Sequence, residues 1–414
     1  MASSPTQSAT DPAAVAAAVS DARLLRVFVR PTGAAVAAAG LLARATRARG
    51  AGFQLRPTRA ETVPDADGTA VAVGWSPPDV PALSRASADE PLAVTAAAAV
   101  REAGGDPDPV LALAGAVAAG ESVTAERSGT TDGVGTLLEA ARRRDAVTRR
   151  PGVATPTTDI ADGLTHSTRL RLPVSGDPEA ATTLLSEVGD AASQSPADLD
   201  PEVGRAVASV VAVDATNDAP LTAVDAVESA LRPAVTDGPF QTVGGFADVL
   251  AATARVDPGL AGALAVSPGS VRTAALDRWR AHGQTVHGLL DGARTARYDG
   301  VSVVRVDPSD AADDCSAAAA LPAVCRLAAQ FQSLEATTLA VTDGGAAVVT
   351  RADHSARGLL VTAVDASDTD TTDAGDAAGV DETAPAAVIG NTERADVRTQ
   401  LDTAAAIEAV REIV

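Results

Sequence analysis

The chain has 414 residues and a formal net charge of -21, from 54 acidic against 33 basic residues, and every basic residue is arginine. A surface this acidic excludes strong nonspecific nucleic-acid binding over the whole molecule, because phosphate contacts need local basic patches and weaken steeply with salt. Aromatic side chains are only 2% of the chain and hydrophobic residues 46%, so the core must be built from Ala, Val and Leu over a long chain.

Self-repulsion among the carboxylates destabilises the compact state in dilute salt. Concentrated salt screens it, with a Debye length of about 3 Å at 1 M. GC-biased codon usage also favours Ala, Gly, Val and Arg over Lys, but it does not require the Asp excess, so the composition reads as adaptation to a salty cytoplasm. Cys315 and Cys325 are separated by no CxxC pattern and read as buried small apolar residues rather than a disulfide or zinc site. The polar start of the chain lacks a basic segment followed by an apolar one, and apolar runs such as Val94–Val100 are too short to span a bilayer. The expectation is a cytoplasmic protein with no membrane partner.

In chain order, residues 1–20 read as a disordered tail. Leu24–Val29 reads as a buried strand, broken at Arg30-Pro31-Thr32-Gly33 and followed by a small-residue helix, Ala34–Arg49, that Gly50 ends. Phe53–Arg56 and Thr69–Trp75 read as strands, and Leu92–Ala103 and Val110–Ala119 as helices bounded by Gly, Pro and Asp. This alternation predicts a parallel-sheet α/β domain over 21–145. From Thr136 the pattern becomes more helical, with helices at Thr136–Thr148, Pro178–Ala191, Pro201–Asp214, Leu221–Leu231 and Leu276–Leu290, and a mainly helical connecting region covers 146–296. A smaller C-terminal α/β domain over 297–414 takes strands at Gly300–Val306, 338–342 and 346–350, a helix at 315–330, an acidic loop near 365–385 and a closing helix at Arg394–Val414.

Three features are candidates for function. The strand–turn–helix at 24–49 is where open α/β sheets place ligand sites, but with only Gly33 and Gly40 it holds no GxGxxG or P-loop, and ordinary packing accounts for the small residues. Arg142, Arg143, Arg144, Arg149 and Arg150 form the densest basic patch, either a contact for phosphates or an acidic partner, or a solvated helix end. Gly244 and Gly245, in the glycine-rich stretch 238–246, form either a ligand-facing loop or the lead into the helix at 247–255. His282 and His287 do not share a helix face as metal ligands spaced i,i+4 would.

The order of elements resembles the N-terminal part of the DHH phosphoesterase superfamily, specifically the archaeal, haloarchaeal RecJ-like proteins. In that family a first motif, H-x-D-x-D-G, follows a strand and precedes an Ala-rich helix. Here Arg30 stands at the histidine position, Thr32 and Ala34 at the two aspartates, and Ala35 at the glycine. The strand equivalent to the second motif ends in Gly74-Trp75-Ser76 without a carboxylate, and no two of His166, His282, His287 and His354 are adjacent, so D-H-H is absent. Gly344-Gly345-Ala346 keeps the glycines of the family's G-G-H without the histidine, a pair equally at home in a hairpin turn. Stretches 231–233, 238–250 and 297–300 also look like haloarchaeal RecJ-like chains.

Two-metal phosphodiester hydrolysis needs several hard oxygen ligands around two cations about 3.5–4 Å apart, and Thr and Ala cannot supply them. The resemblance therefore implies a catalytically degenerate RecJ-like protein without cofactor. It would act as a structural or accessory subunit in DNA replication or repair, with GINS, MCM helicase or a catalytic RecJ-like paralogue as partner and at most weak contact with single-stranded DNA. The alternative is an active Mn- or Mg-dependent single-stranded DNA exonuclease or phosphodiesterase with rearranged ligands; an unrelated α/β enzyme is a third reading. The charge itself makes a prediction: raising KCl from about 0.1 M to about 2 M should raise the thermal unfolding midpoint, and an unchanged or lower midpoint would count against salt adaptation.

Overall fold

The computed structural model describes residues 12–64, 68–84, 90–123, 133–189, 195–312, 315–369, 388–391 and 393–414. The chain divides into two compact units rather than the three segments expected from sequence. One takes Met1–Gly163, Val188–Ala208 and Ser229–Trp279; the other takes Leu164–Glu187, Ser209–Glu228 and Arg280–Val414. Helical periodicity marks the middle region as amphipathic but does not say which core each apolar stripe joins.

The first unit is built on a four-stranded sheet of β1 (Leu24–Val29), β2 (Gly52–Pro57), β3 (Thr69–Val73) and β4 (Ala82–Leu83), in the order β2-β1-β3-β4. All its pairings are parallel, with Leu25 opposite Phe53 on one side and Thr69 on the other. The chain leaves β1 to one side for β2 and returns to the other for β3, so the order reverses beside β1. Helices α1 (Pro12–Asp21), α2 (Gly33–Ala48), α3 (Leu92–Glu102), α4 (Pro109–Ala118) and α5 (Gly133–Arg143) belong to this unit.

The core around α2 replaces bulk with proximity. A Cβ at Gly40 would lie 2.6 Å from the Ala265 Cβ, and one at Gly115 2.6 Å from those of Ala37 and Ala93. Backbones this close recover in dispersion what the missing aromatic side chains would have supplied. The few large rings in the unit are fully used: Phe240 and Phe246 stack with centroids 4.9 Å apart. Trp279, fully buried, donates its indole N–H to Asp248 Oδ2 at 2.9 Å.

The middle of the chain supplies α6 (Ile160–His166), α7 (Pro178–Ser186), α8 (Pro201–Thr216), α9 (Val224–Leu231), α10 (Val243–Val256), α11 (Pro258–Val266) and α12 (Pro268–Gly292). It also supplies the short antiparallel pair β5 (Thr148–Arg149) and β6 (Ala234–Val235). The second unit carries a six-stranded sheet ordered β11-β12-β10-β9-β8-β7. Its strands are β7 (Arg294–Tyr298), β8 (Val301–Arg305), β9 (Thr337–Thr342), β10 (Gly345–Thr350), β11 (Ile389–Gly390) and β12 (Arg394–Val397). Only β8 and β9 pair in parallel, joined through α13 (Ala317–Phe331). The sequence α14 (Ala356–Thr369), β12 and α15 (Thr403–Ile413) completes the unit, and β9 is buried at every residue.

The α/β class, the N-terminal parallel sheet, the helical middle and the C-terminal sheet unit are therefore as expected from sequence. Several local expectations need correction. Pro12–Asp21 is a helix whose Val15 and Val19 are fully buried, not part of a tail; residues 1–11 lie outside the described residues. The helix expected at Thr136–Thr148 starts at Gly133 and stops at Arg143, because Asp145 takes a left-handed φ of 54° and Thr148 enters a strand. The acidic loop near 365–385 begins later than expected, since α14 runs to Thr369; residues 370–387 are outside the described residues. The closing helix is split, because Arg394–Val397 pairs with β10 before Asp402 caps α15. Among the described residues no helix is long and apolar enough to cross a membrane.

Trp279→Ala should destabilise the first unit by about 3–5 kcal/mol, through the cavity it opens and the buried Asp248 carboxylate it deprives of a donor. Urea unfolding followed by Trp75 fluorescence in molar salt measures this, and a loss below about 1 kcal/mol would contradict the packing described.

Candidate functional site

A reversal of strand order in an open parallel sheet opens a crevice at the carboxyl ends of the two diverging strands, and ligands of α/β proteins bind there. In this chain those ends are Val29-Arg30 and Val73-Gly74. The Arg30 N–H donates to Val73 O at 2.9 Å, and Thr32 N–H to Arg30 O at 2.7 Å, which turns the chain sharply toward α2. Thr32 is the N-cap of that helix, its Oγ1 accepting from Ala35 N–H at 3.3 Å. Gly50, with φ of 77°, follows the other end.

The side chain of Arg30 lies in this crevice and is 2% exposed as a residue. Its Nη1 donates to Ala60 O at 2.9 Å and to Thr58 O at 3.4 Å, and its Nη2 meets Glu61 Oε1 at 3.1 Å. Its guanidinium carbon sits 4.3 Å from the centroid of the Trp75 ring, a stacking worth about 0.5–2 kcal/mol as the site loses water. Trp75 is held in turn by its indole N–H, which donates to Glu61 O at 3.0 Å. Gly74 permits the arrangement: its φ is 103°, and a Cβ there would come within 2.7 Å of Arg30 Cγ.

A divalent cation does not fit these residues. The candidate ligand positions offer a buried guanidinium (Arg30), a hydroxyl spent on capping (Thr32) and two methyl groups (Ala34 and Ala35). The carboxylate beside them, Glu61, is paired with Arg30, and the N-terminus of α2 adds further positive potential. Among the described residues no group of three or more His, Cys, Asp and Glu could hold a metal ion.

The other sequence candidates fall elsewhere. The arginine patch is not one helical run: Arg142 and Arg143 end α5, Arg144 follows it, and Arg149 lies in β5 just before Arg150. Three of its side chains have internal partners. Arg142 bonds Glu139 at 2.8 Å, Arg144 pairs with Asp106, and Arg149 reaches Arg232 O at 3.5 Å. Gly244 and Gly245 are not in a loop, because Thr242 caps α10 and places both in its first turn. Gly245 is small for packing reasons: a Cβ would lie 2.2 Å from Pro156 N. His287 is fully buried and bonded to Ser167 O at 3.0 Å. Gly344 and Gly345 turn β9 into β10, as a hairpin reading of that pair requires.

Trp75, Glu61 and the carbonyls of Thr58 and Ala60 were not legible as partners of Arg30. A tryptophan directly after a strand-end glycine, in a chain with two tryptophans in all, was the available signal.

The fold is that of a known class. A solved structure of CDC45 from Entamoeba histolytica is similar with a TM-score of 0.57 at 10% identity, over 96% of this chain and 97% of that one. A structure of RecJ from Thermus thermophilus in complex with Mn2+ gives a TM-score of 0.48 at 15% identity, with 99% of this chain matched to 56% of that chain, so this chain spans little more than half its length. Residues 293–412 match the family model described as the C-terminal domain of the uncharacterized protein rrnAC1427. That protein, from Haloarcula marismortui, is 39% identical over 413 residues, covering 98% of this chain and 97% of its own. The chain belongs to the rrnAC1427 family.

Arg30→Ala should lower the stability of the first unit by about 2–4 kcal/mol, since the stack is lost and two carbonyls are left without their donor. Both tryptophans lie in that unit, so their fluorescence reports it. A change below about 0.5 kcal/mol would mean the guanidinium is not a structural element.

Proposed function

We propose that this chain is a catalytically degenerate RecJ-like protein acting as a structural or accessory subunit in DNA replication or repair. The observation that carries the reading is Arg30, whose guanidinium fills the crevice at the sheet's strand-order reversal with its partners already in place. Two-metal hydrolysis requires clustered hard oxygen ligands at one point; here that point holds a cation of the protein's own. The fold shared with CDC45 supports a scaffold role, and the partners proposed by resemblance are GINS, MCM helicase or a catalytic RecJ-like paralogue.

The alternative, an exonuclease or phosphodiesterase dependent on Mn or Mg, needs a ligand set that the described residues do not contain. Contact with single-stranded DNA is the weaker part of the proposal. With Arg142, Arg144 and Arg149 internally bonded, it would rest on exposed residues such as Arg143 and Arg150.

Affinity capture of the full chain from native extract, kept in molar KCl, tests the reading. Recovery of replication or repair proteins is the expected result. A chelator-sensitive hydrolysis of single-stranded DNA by the purified protein, with no such partner recovered, would overturn it.

A further inference from the structure

The second unit contains an open cavity of about 450 Å³ at the N-terminal end of α13. Cys315, Ser316, Ala317, Ala318, Thr342 and Gly344 are among its walls. Ser316 is the N-cap of α13, yet its side chain makes no capping bond, and the first two helical residues, Ala317 and Ala318, face the cavity. The positive end of a helix of 15 residues is thus turned toward the space. Thr342, also in the wall, is 4% exposed, and its Oγ1 has no hydrogen-bonding partner among the described residues. A buried hydroxyl without a partner is unfavourable unless something in the cavity engages it.

Cys315 stands at the same place. Its Sγ lies 3.9 Å from Nδ1 of His282, and the two residues are 8% and 2% exposed. A thiol reacts as the thiolate, which is favoured beside an imidazole that can take its proton and near a helix N-terminus. The chain's other cysteine makes the contrast. Cys325 is enclosed, its Sγ–H donates to Thr338 O at 3.2 Å and Ala347 O at 3.3 Å, and burial pushes its thiol up to about 12.

We propose that Cys315 and His282 form a peroxide-reactive thiol site, in which a small hydroperoxide entering the cavity oxidises Cys315 to the sulfenic acid. His282 Nδ1 accepts the thiol proton. The thiolate sulfur attacks one peroxide oxygen, an S–O bond forms and the O–O bond breaks. The departing oxygen takes the proton from the imidazolium and leaves as water when the oxidant is hydrogen peroxide. Sulfur supplies the two electrons, and the peroxide is reduced. The Thr342 hydroxyl and the first turn of α13 are placed to stabilise the anionic oxygen of the step. The site belongs to the second unit and does not depend on the replication reading.

The test uses the full chain in molar KCl, treated with hydrogen peroxide, trapped with dimedone and read by peptide mass spectrometry. Cys315 should carry the adduct in at least about tenfold excess over Cys325. His282→Gln should cut adduct formation at Cys315 by at least about fivefold while the unfolding midpoint stays near that of the unmodified sequence. If His282→Gln does not fold, the ratio between the two cysteines decides alone. Equal modification of both cysteines, no adduct on Cys315 in the native chain, or a folded His282→Gln variant that reacts at the original rate would each overturn the proposal.

Discussion

A guanidinium withdrawn from water needs several acceptors at once, and at Arg30 the loop that follows β2 supplies them. Two carbonyls and one carboxylate come from Thr58, Ala60 and Glu61, and the ring of Trp75 closes the remaining face. Glu61 is half exposed, so the ion pair by itself contributes little. The enclosure depends on the set: Gly74 makes room, Trp75 stacks, and the Glu61 carbonyl fixes Trp75. Removing any one of them leaves a buried charge less well satisfied, which is costly. The ends of β1, β2 and β3 are thereby tied together at the point where the strand order reverses.

The rest of the first unit is packed as closely. With so few aromatic side chains, the helices approach through glycine and alanine, and Gly33, Gly40 and Gly115 each sit where a Cβ would collide with a neighbour. Close approach of this kind tolerates little added volume. Carboxylates are accordingly plentiful outside and scarce inside; Asp248 and Asp396 are the buried ones among the described residues. At the strand ends of the first unit the carboxylate beside Arg30 is that of Glu61, which is half exposed.

Much of the fold was legible because its signals were local. Leu24–Val29 is a run of large apolar residues closed by Pro31, and the helix after it carries a Thr cap and a terminal Gly, so both were placed within a residue. What failed depended on tertiary partners. Ala395 and Val397 look helical beside Leu401 and Ile407 until β10 offers an edge to pair with. Pro12–Asp21 is too short and too uniform in alanine to declare a helix until its valines find the core. At the candidate site the sequence displayed Arg30, Thr32 and Ala34 at the positions where the resembled family would carry a histidine and two aspartates. It could not display the partners of Arg30, because α2, β2, a loop and β3 lie between Arg30 and Trp75 in the chain. In the arginine patch the density of like charge along the chain hid the acceptors Glu139 and Asp106 that pair with Arg142 and Arg144.

The proposal is that Arg30 stands where, by resemblance, a catalytic metal would be held. Titration of the full chain with Mn2+ in molar KCl, following the electron paramagnetic resonance signal of the free ion, tests it most directly. The account predicts that the free-ion signal tracks the added metal up to millimolar concentration, with no saturable binding. A stoichiometric loss of that signal, abolished by Thr32→Val or Glu61→Gln, would contradict it.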